Sequence, residues 1–79
     1  MMEKLGRYMR VKLRDNIYCM WAIYARDEED LLGVVQWNRT WKCYNFHSEE
    51  FVEFSSEHLR DIAGFLQKKT NERFAEENS

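Results

Sequence analysis

The chain has 79 residues, 44% hydrophobic, with 3 Trp, 4 Tyr and 5 Phe and a formal net charge of −2. It is too apolar for a disordered chain and too short for more than one domain or an open active-site cleft, so 1–79 reads as a single domain with a small core. No bulk field steers it to nucleic acid or an anionic membrane, and no apolar run approaches the roughly 20 residues that a membrane-spanning helix needs.

The charge is unevenly placed: residues 1–26 carry six basic and two acidic side chains, and residues 27–57 carry two basic and eight acidic. A basic edge and an acidic edge follow from that. Cys19 and Cys43 lie in strand-like segments and form no C-x-x-C pair. They read as reduced, buried thiols, and with no signal-peptide pattern at the start they lead us to expect a cytoplasmic protein.

Residues 1–6 show no pattern and read as loose. From Tyr8 the chain alternates, Met9, Val11 and Leu13 on one side against Tyr8, Arg10, Lys12 and Arg14 on the other, the period of a half-buried strand. Asp15-Asn16 then reads as a two-residue corner joining Tyr8–Arg14 to Ile17–Arg26 in an antiparallel hairpin. The second strand is apolar on both faces and therefore central, with Tyr18, Met20, Ala22 and Tyr24 against Cys19, Trp21, Ile23 and Ala25. Asp27, Glu28, Glu29 and Asp30 repel one another and stay solvated in a turn, and Leu31–Trp37 is a third strand.

The stretch Leu31 to Phe46 reads as a hairpin, and its register decides which side chains share a face. A four-residue loop Asn38–Trp41 sets Trp37 opposite Lys42, Val35 opposite Tyr44 and Gly33 opposite Phe46, so Val35, Trp37, Tyr44 and Phe46 face one way. A three-residue loop pairs Trp37 with Trp41 and turns Tyr44 and Phe46 to the other side. The first is preferred, because it groups the aromatics with Val35 and leaves Gly33 small beside Phe46.

A helix starts at Ser55, a good N-cap, with Glu57 near the positive end and Phe54 and Leu59 placed for a hydrophobic staple. The spacing predicts one apolar stripe of Leu59, Ile62, Ala63, Leu66, Thr70 and Phe74, with Glu76–Ser79 fraying. The expected fold is α+β: a four-stranded antiparallel meander (β-β-β-β-α) with one C-terminal amphipathic helix packed on one sheet face.

No nucleophile elbow, phosphate-binding loop or zincin motif is present, so no catalytic residue, cofactor or enzymatic role is expected. The spacing of His47, His58, Cys19 and Cys43 fits no closed zinc site, and Asp27–Asp30 lacks the alternating ligands and glycine of a calcium loop. Two binding surfaces remain. The second and third strands carry more apolar surface than one helix can hide, leaving Leu32 and Val34, with either Trp21 and Ile23 or Met20 and Tyr24, for a protein contact or a homodimer unless 1–7 or the Phe51–Val52 loop folds over them. Asp27, Glu28, Glu29 and Asp30 would add an acidic contact for a basic partner. Trp41 with Arg39, Lys42 and the basic first strand could instead form a small platform for single-stranded nucleic acid, and the exposure of Trp41 decides it.

The order L-G-x-V-x-W (Leu32, Gly33, Val35, Trp37), W-x-x-Y-x-F (Trp41, Tyr44, Phe46), F-S (Phe54, Ser55) and L-R-D-I-A-x-F-L (Leu59 through Leu66) resembles small uncharacterised proteins encoded in tailed-phage and prophage genomes. It covers about half the chain and is mostly a hydrophobic skeleton. Those proteins tend to have a proline soon after the last strand; this chain has none, and its connection 47–53 differs. The resemblance implies a cytoplasmic accessory protein made in an infected bacterium, one that binds a host protein or complex stoichiometrically and inhibits a host enzyme or defence complex in the manner of anti-CRISPR proteins. It assigns no functional residue.

Overall fold

Among the described residues five strands form, one more than the sequence predicts. The computed structural model describes residues 2–15, 17 and 20–77. Within them β1 (Met2–Leu5), β2 (Met9–Asp15), β3 (Met20–Ala25), β4 (Leu31–Asn38) and β5 (Cys43–Ser48) are followed by α1 (Ser56–Glu77). The strands pair only with their sequence neighbours, in the order β1-β2-β3-β4-β5, all antiparallel. The segment expected to be loose is therefore an edge strand. Gly6 makes the turn into β2 at φ 67°, and a Cβ there would collide with the Asp61 carboxylate.

Between β2 and β3 the expected two-residue corner is not formed. Leu13 opposes Trp21, the register then shifts, and Asp15 opposes Met20. The turn is longer as a result, and Asp15 Oδ1 accepts the Ile17 N–H at 2.9 Å at its start. The faces proposed for Tyr18 and Cys19 lie outside the described residues, as do Met1, Asn16, Asn78 and Ser79.

The β4–β5 hairpin adopts neither expected register. Trp37 opposes Tyr44, Val35 opposes Phe46 and Gly33 opposes Ser48. This differs from the preferred pairing by two residues, and a two-residue slip keeps every side chain on its face. Val35, Trp37, Tyr44 and Phe46 accordingly share the side that meets α1. The Phe46 ring still lies over Gly33, diagonally, where a Cβ would run into it and into the His47 carbonyl.

The core is Met9, Val11, Ile23, Val35 and Tyr44 from the sheet with Ile62 and Phe65 from α1. Met9, Ile23 and Val35 are 0% exposed. Full burial of such side chains is worth about 1.5–3 kcal/mol each. Phe65, which meets Trp21 edge to face at 5.7 Å, is absent from the predicted stripe. The helix is rolled so that Ile62, Phe65 and Thr70 are buried while Leu59 and Phe74 are 52% and 38% exposed.

Both ends of α1 are pinned. At the start Ser55 Oγ accepts the His58 N–H at 3.3 Å and the Ser55 N–H donates to His58 Nδ1 at 3.2 Å, a capping box with histidine where glutamate is usual. Tyr8 stacks on the His58 ring at 5.0 Å, and Phe54 meets Phe46 at 5.5 Å. Further on, the Thr70 hydroxyl accepts the outward-facing N–H of Tyr44, on edge strand β5, at 3.0 Å. Arg73 lies 4.1 Å over the Trp37 ring and donates to the Tyr44 hydroxyl at 3.3 Å and to Glu77 at 3.2 Å. The Tyr44 bond leads the effects that raise the Arg73 pKa, with burial opposing.

Candidate functional site

The turn that closes the β4–β5 hairpin presents Trp41. Asn38 Oδ1 accepts the N–H groups of both Thr40 and Trp41 at 2.9 Å, and the Lys42 N–H returns to the Asn38 carbonyl at 2.8 Å. Asn38 Nδ2 donates to Asn45 Oδ1 at 2.6 Å, which ties the turn to β5, and Lys42 takes φ 54° to complete the bend. With its backbone held this way, Trp41 stands 73% exposed.

Beside it runs a groove of about 460 Å³ between β5 and α1, lined by Trp41, Asn45, Phe46, His47, Leu59, Ile62, Ala63 and Leu66. The roll of α1 accounts for it: burying Phe65 under the sheet swings Leu59 and Ala63 outward, so the stripe predicted to be covered becomes the groove's helical wall. Outward backbone groups of β5 form the opposite wall. In an antiparallel pair they alternate, and since the Tyr44 N–H points away from β4 to Thr70, those of Phe46 and Ser48 point the same way.

The remaining predicted site residues do not converge here. Arg39 is exposed but lines a different recess, of about 510 Å³, with Ile17, Met20, Gln36, Trp37 and Arg73. That recess borders the 15–20 turn, part of which lies outside the described residues. Lys42 is exposed beside Trp41. Leu32 does not lie on an open apolar face: it is the extra residue where the β3–β4 register shifts between Ile23 and Tyr24, and it packs against the core. Val34 is half-buried on the face away from α1, between Ala22 and His47.

Of the two expected sets, Val34 and Tyr24 lie on that outer face, whereas Trp21 and Ile23 turn toward α1. One row across the outer face reads Met2, Lys12, Ala22, Val34, His47, and the next reads Lys4, Arg10, Tyr24, Leu31. The cationic Lys4, Arg10 and Lys12 lie on the β1–β2 side of it, while Ala22 and Val34 in one row and Tyr24 and Leu31 in the next stand side by side on β3 and β4. Neither expected cover lies over it, because β1 extends the sheet sideways and Phe51, at φ 63°, is 98% exposed.

Asp27, Glu28, Glu29 and Asp30 are exposed in the β3–β4 turn, at the other end of β4 from Trp41. Arg10 ties that turn down, donating to the Glu28 carbonyl at 2.7 Å and the Ala25 carbonyl at 3.2 Å while lying 5.1 Å over the Tyr24 ring. A shared hydrogen bond and charge repulsion from Asp30, then slight burial and Asp27, raise the Glu28 pKa above that of an ordinary glutamate. The basic strand β2 is thus partly committed, through Arg10, to holding the acidic turn.

His58 serves the helix cap, and His47 lines the groove without a carboxylate among the other lining residues. Among the described residues no group of three His, Cys, Asp or Glu side chains is placed to hold a metal ion, and no helix is long and apolar enough to cross a membrane. The groove is not legible in the sequence, because it depends on the rotation of α1 about its own axis, which buries Phe65. The chain matches no family model, and no curated protein or solved structure matches it.

Proposed function

We propose that this chain acts without catalysis, by binding another protein stoichiometrically through the groove between β5 and α1. The observation that carries the reading is Trp41, 73% exposed on a turn held by four hydrogen bonds, next to Leu59 at 52%. A large aromatic fixed beside an apolar recess costs little ordering entropy on docking, and such residues dominate binding energies. The resemblance to small phage and prophage proteins supports a bacterial host protein as the target, with inhibition of an enzyme or defence complex as the outcome.

The test is a pull-down from bacterial lysate with the tagged chain and with Trp41→Ala and Leu59→Glu, both at exposed positions that leave the core intact. The reading expects one protein captured in equal proportion by the parent and lost from both variants. Capture that is indifferent to both substitutions would remove the groove from the argument.

The exposure of Trp41 beside Lys42 also favours a second reading, stacking of single-stranded nucleic acid. It is the weaker, because Arg39 faces a different recess and Arg10 is engaged elsewhere. Salt-dependent binding of a labelled oligonucleotide that disappears in Trp41→Ala would install it in place of the first.

A further inference from the structure

We infer that β1, the open edge of the sheet, takes up an extended acidic segment of a partner protein as a further strand, at a surface separate from the groove between β5 and α1.

The backbone of β1 is free to do so. The Arg26 N–H donates to the Tyr8 carbonyl at 2.9 Å, so in the β2–β3 pair Tyr8, Arg10 and Lys12 turn their backbone groups toward β3. Met9 and Val11 therefore bond to Leu5 and Glu3, which leaves the N–H and C=O groups of Met2 and Lys4 pointing off the sheet. Among the described residues no hydrogen bond from beyond the sheet reaches those groups, and both residues are exposed. The opposite edge differs, because β5 runs beside α1 and its Tyr44 N–H is held by Thr70. An edge neither paired nor covered is a template for one more strand.

Charge selects the occupant. Met2 and Lys4 lie on the sheet face away from α1, directly opposite Lys12 and Arg10 of β2. Arg10 Nη1 meets Met2 Sδ at 3.2 Å, which brings the guanidinium to the edge strand. Neither row of side chains that crosses this face from Met2 or from Lys4 contains a carboxylate. Glu29, 4.0 Å from Arg10, belongs to the β3–β4 turn, two strands from β1, and Glu3 faces the α1 side, where it lines a recess with Lys69. Residues opposite one another on antiparallel strands share a face, so carboxylates at alternate positions of an incoming strand meet Lys4 and approach Arg10 and Lys12. The residue between them passes Glu3 and is apolar. A second copy fits poorly: two β1 edges bonded through Met2 and Lys4 about a twofold axis set either Glu3 against the copy's Glu3 or Lys4 against the copy's Lys4.

The experiment measures fluorescence polarisation of a labelled Thr-Glu-Val-Glu-Val-Glu-Thr peptide with the intact chain at low salt. Its controls are Thr-Lys-Val-Lys-Val-Lys-Thr and a peptide of the first composition with its glutamates consecutive. The alternating glutamate peptide is expected to bind about tenfold more tightly than either control, to weaken about tenfold against Lys4→Glu, and to slow amide exchange at Met2 and Lys4. Met2→Pro, which removes an N–H that points off the sheet, is expected to weaken it about fivefold with the circular dichroism of the chain unchanged. Equal binding of the peptide with consecutive glutamates would show a polyanion site without a strand and overturn the inference. Binding that leaves the Lys4 amide unprotected, or that Trp41→Ala abolishes, would overturn it as well, the latter by placing the peptide in the groove. No binding at about millimolar chain would do the same, and dimerisation that protects the Lys4 amide would make a second copy the occupant and refute it.

Discussion

Thr70→Val tests whether the edge of β5 is held by the helix. Thr70 is 8% exposed, and its hydroxyl accepts the Tyr44 N–H at 3.0 Å. Valine keeps the shape and nearly the helix propensity of threonine, so the change removes an acceptor from an edge strand and little else. Loss of a buried acceptor costs about 1–3 kcal/mol, and a methyl in place of the hydroxyl returns up to ~0.8 kcal/mol. The net expectation is a loss of about 1–2 kcal/mol. For a domain of this length that lowers Tm by roughly 4–8 °C per kcal/mol. Thr70→Ser is the control, because it keeps the hydroxyl and drops one methyl, at about 0.8 kcal/mol. Urea denaturation followed by circular dichroism gives both values, and amide exchange at Tyr44 should speed up in the valine variant alone. A Thr70→Val protein as stable as the parent, or more stable than Thr70→Ser, would refute the reasoning.

Gly33→Ala should destabilise by about 1–3 kcal/mol in the same assay, since the new methyl meets the His47 carbonyl and the Phe46 ring; a change under ~0.5 kcal/mol would show that β5 can yield. Gly64→Ala should do the opposite, stabilising by about 0.5–1 kcal/mol, because a Cβ there meets nothing within 4 Å on an exposed helical position; any loss of stability would contradict the geometry. Asp30→Asn should bring the Glu28 titration midpoint down toward the ordinary glutamate value, as read by carboxyl carbon NMR. A raised carboxyl pKa in the folded state favours folding below the unfolded-state value, and that contribution is lost as pH rises through the folded value. The acidic turn is therefore least at ease at neutral pH, and an unmoved Glu28 midpoint would show that Asp30 is not the cause.

How far the sequence could be read depended on which property each element needed. The faces of β4 and β5 were legible even though the pairing was not: Val35, Trp37, Tyr44 and Phe46 stay together under a two-residue slip, and alternation constrains parity but not the absolute partner. The edge strand β1 was not legible, because Met2–Leu5 carries no alternation and is a strand by virtue of its pairing with β2. Only Gly6 hinted at the turn. In α1 the cap at Ser55 was read from one residue and its surroundings, whereas the buried face was misjudged. Leu59, Ile62, Ala63 and Leu66 already made a complete stripe on paper, and nothing local says that Phe65 displaces two of them from the sheet. The exposure of Trp41 follows from its place in a turn, where no neighbour buries it. Leu32 is redirected toward the core by a shift in strand register.

The neighbour-to-neighbour pairing of the strands also bears on synthesis. A ribosome releasing this chain can let each hairpin zip as soon as its second half emerges, with short loops to close. The greasy side of the growing sheet nevertheless stays bare until α1 follows, because Ile62, Phe65 and Thr70 come last. Premature termination anywhere before that point yields a sticky fragment in place of a smaller working protein.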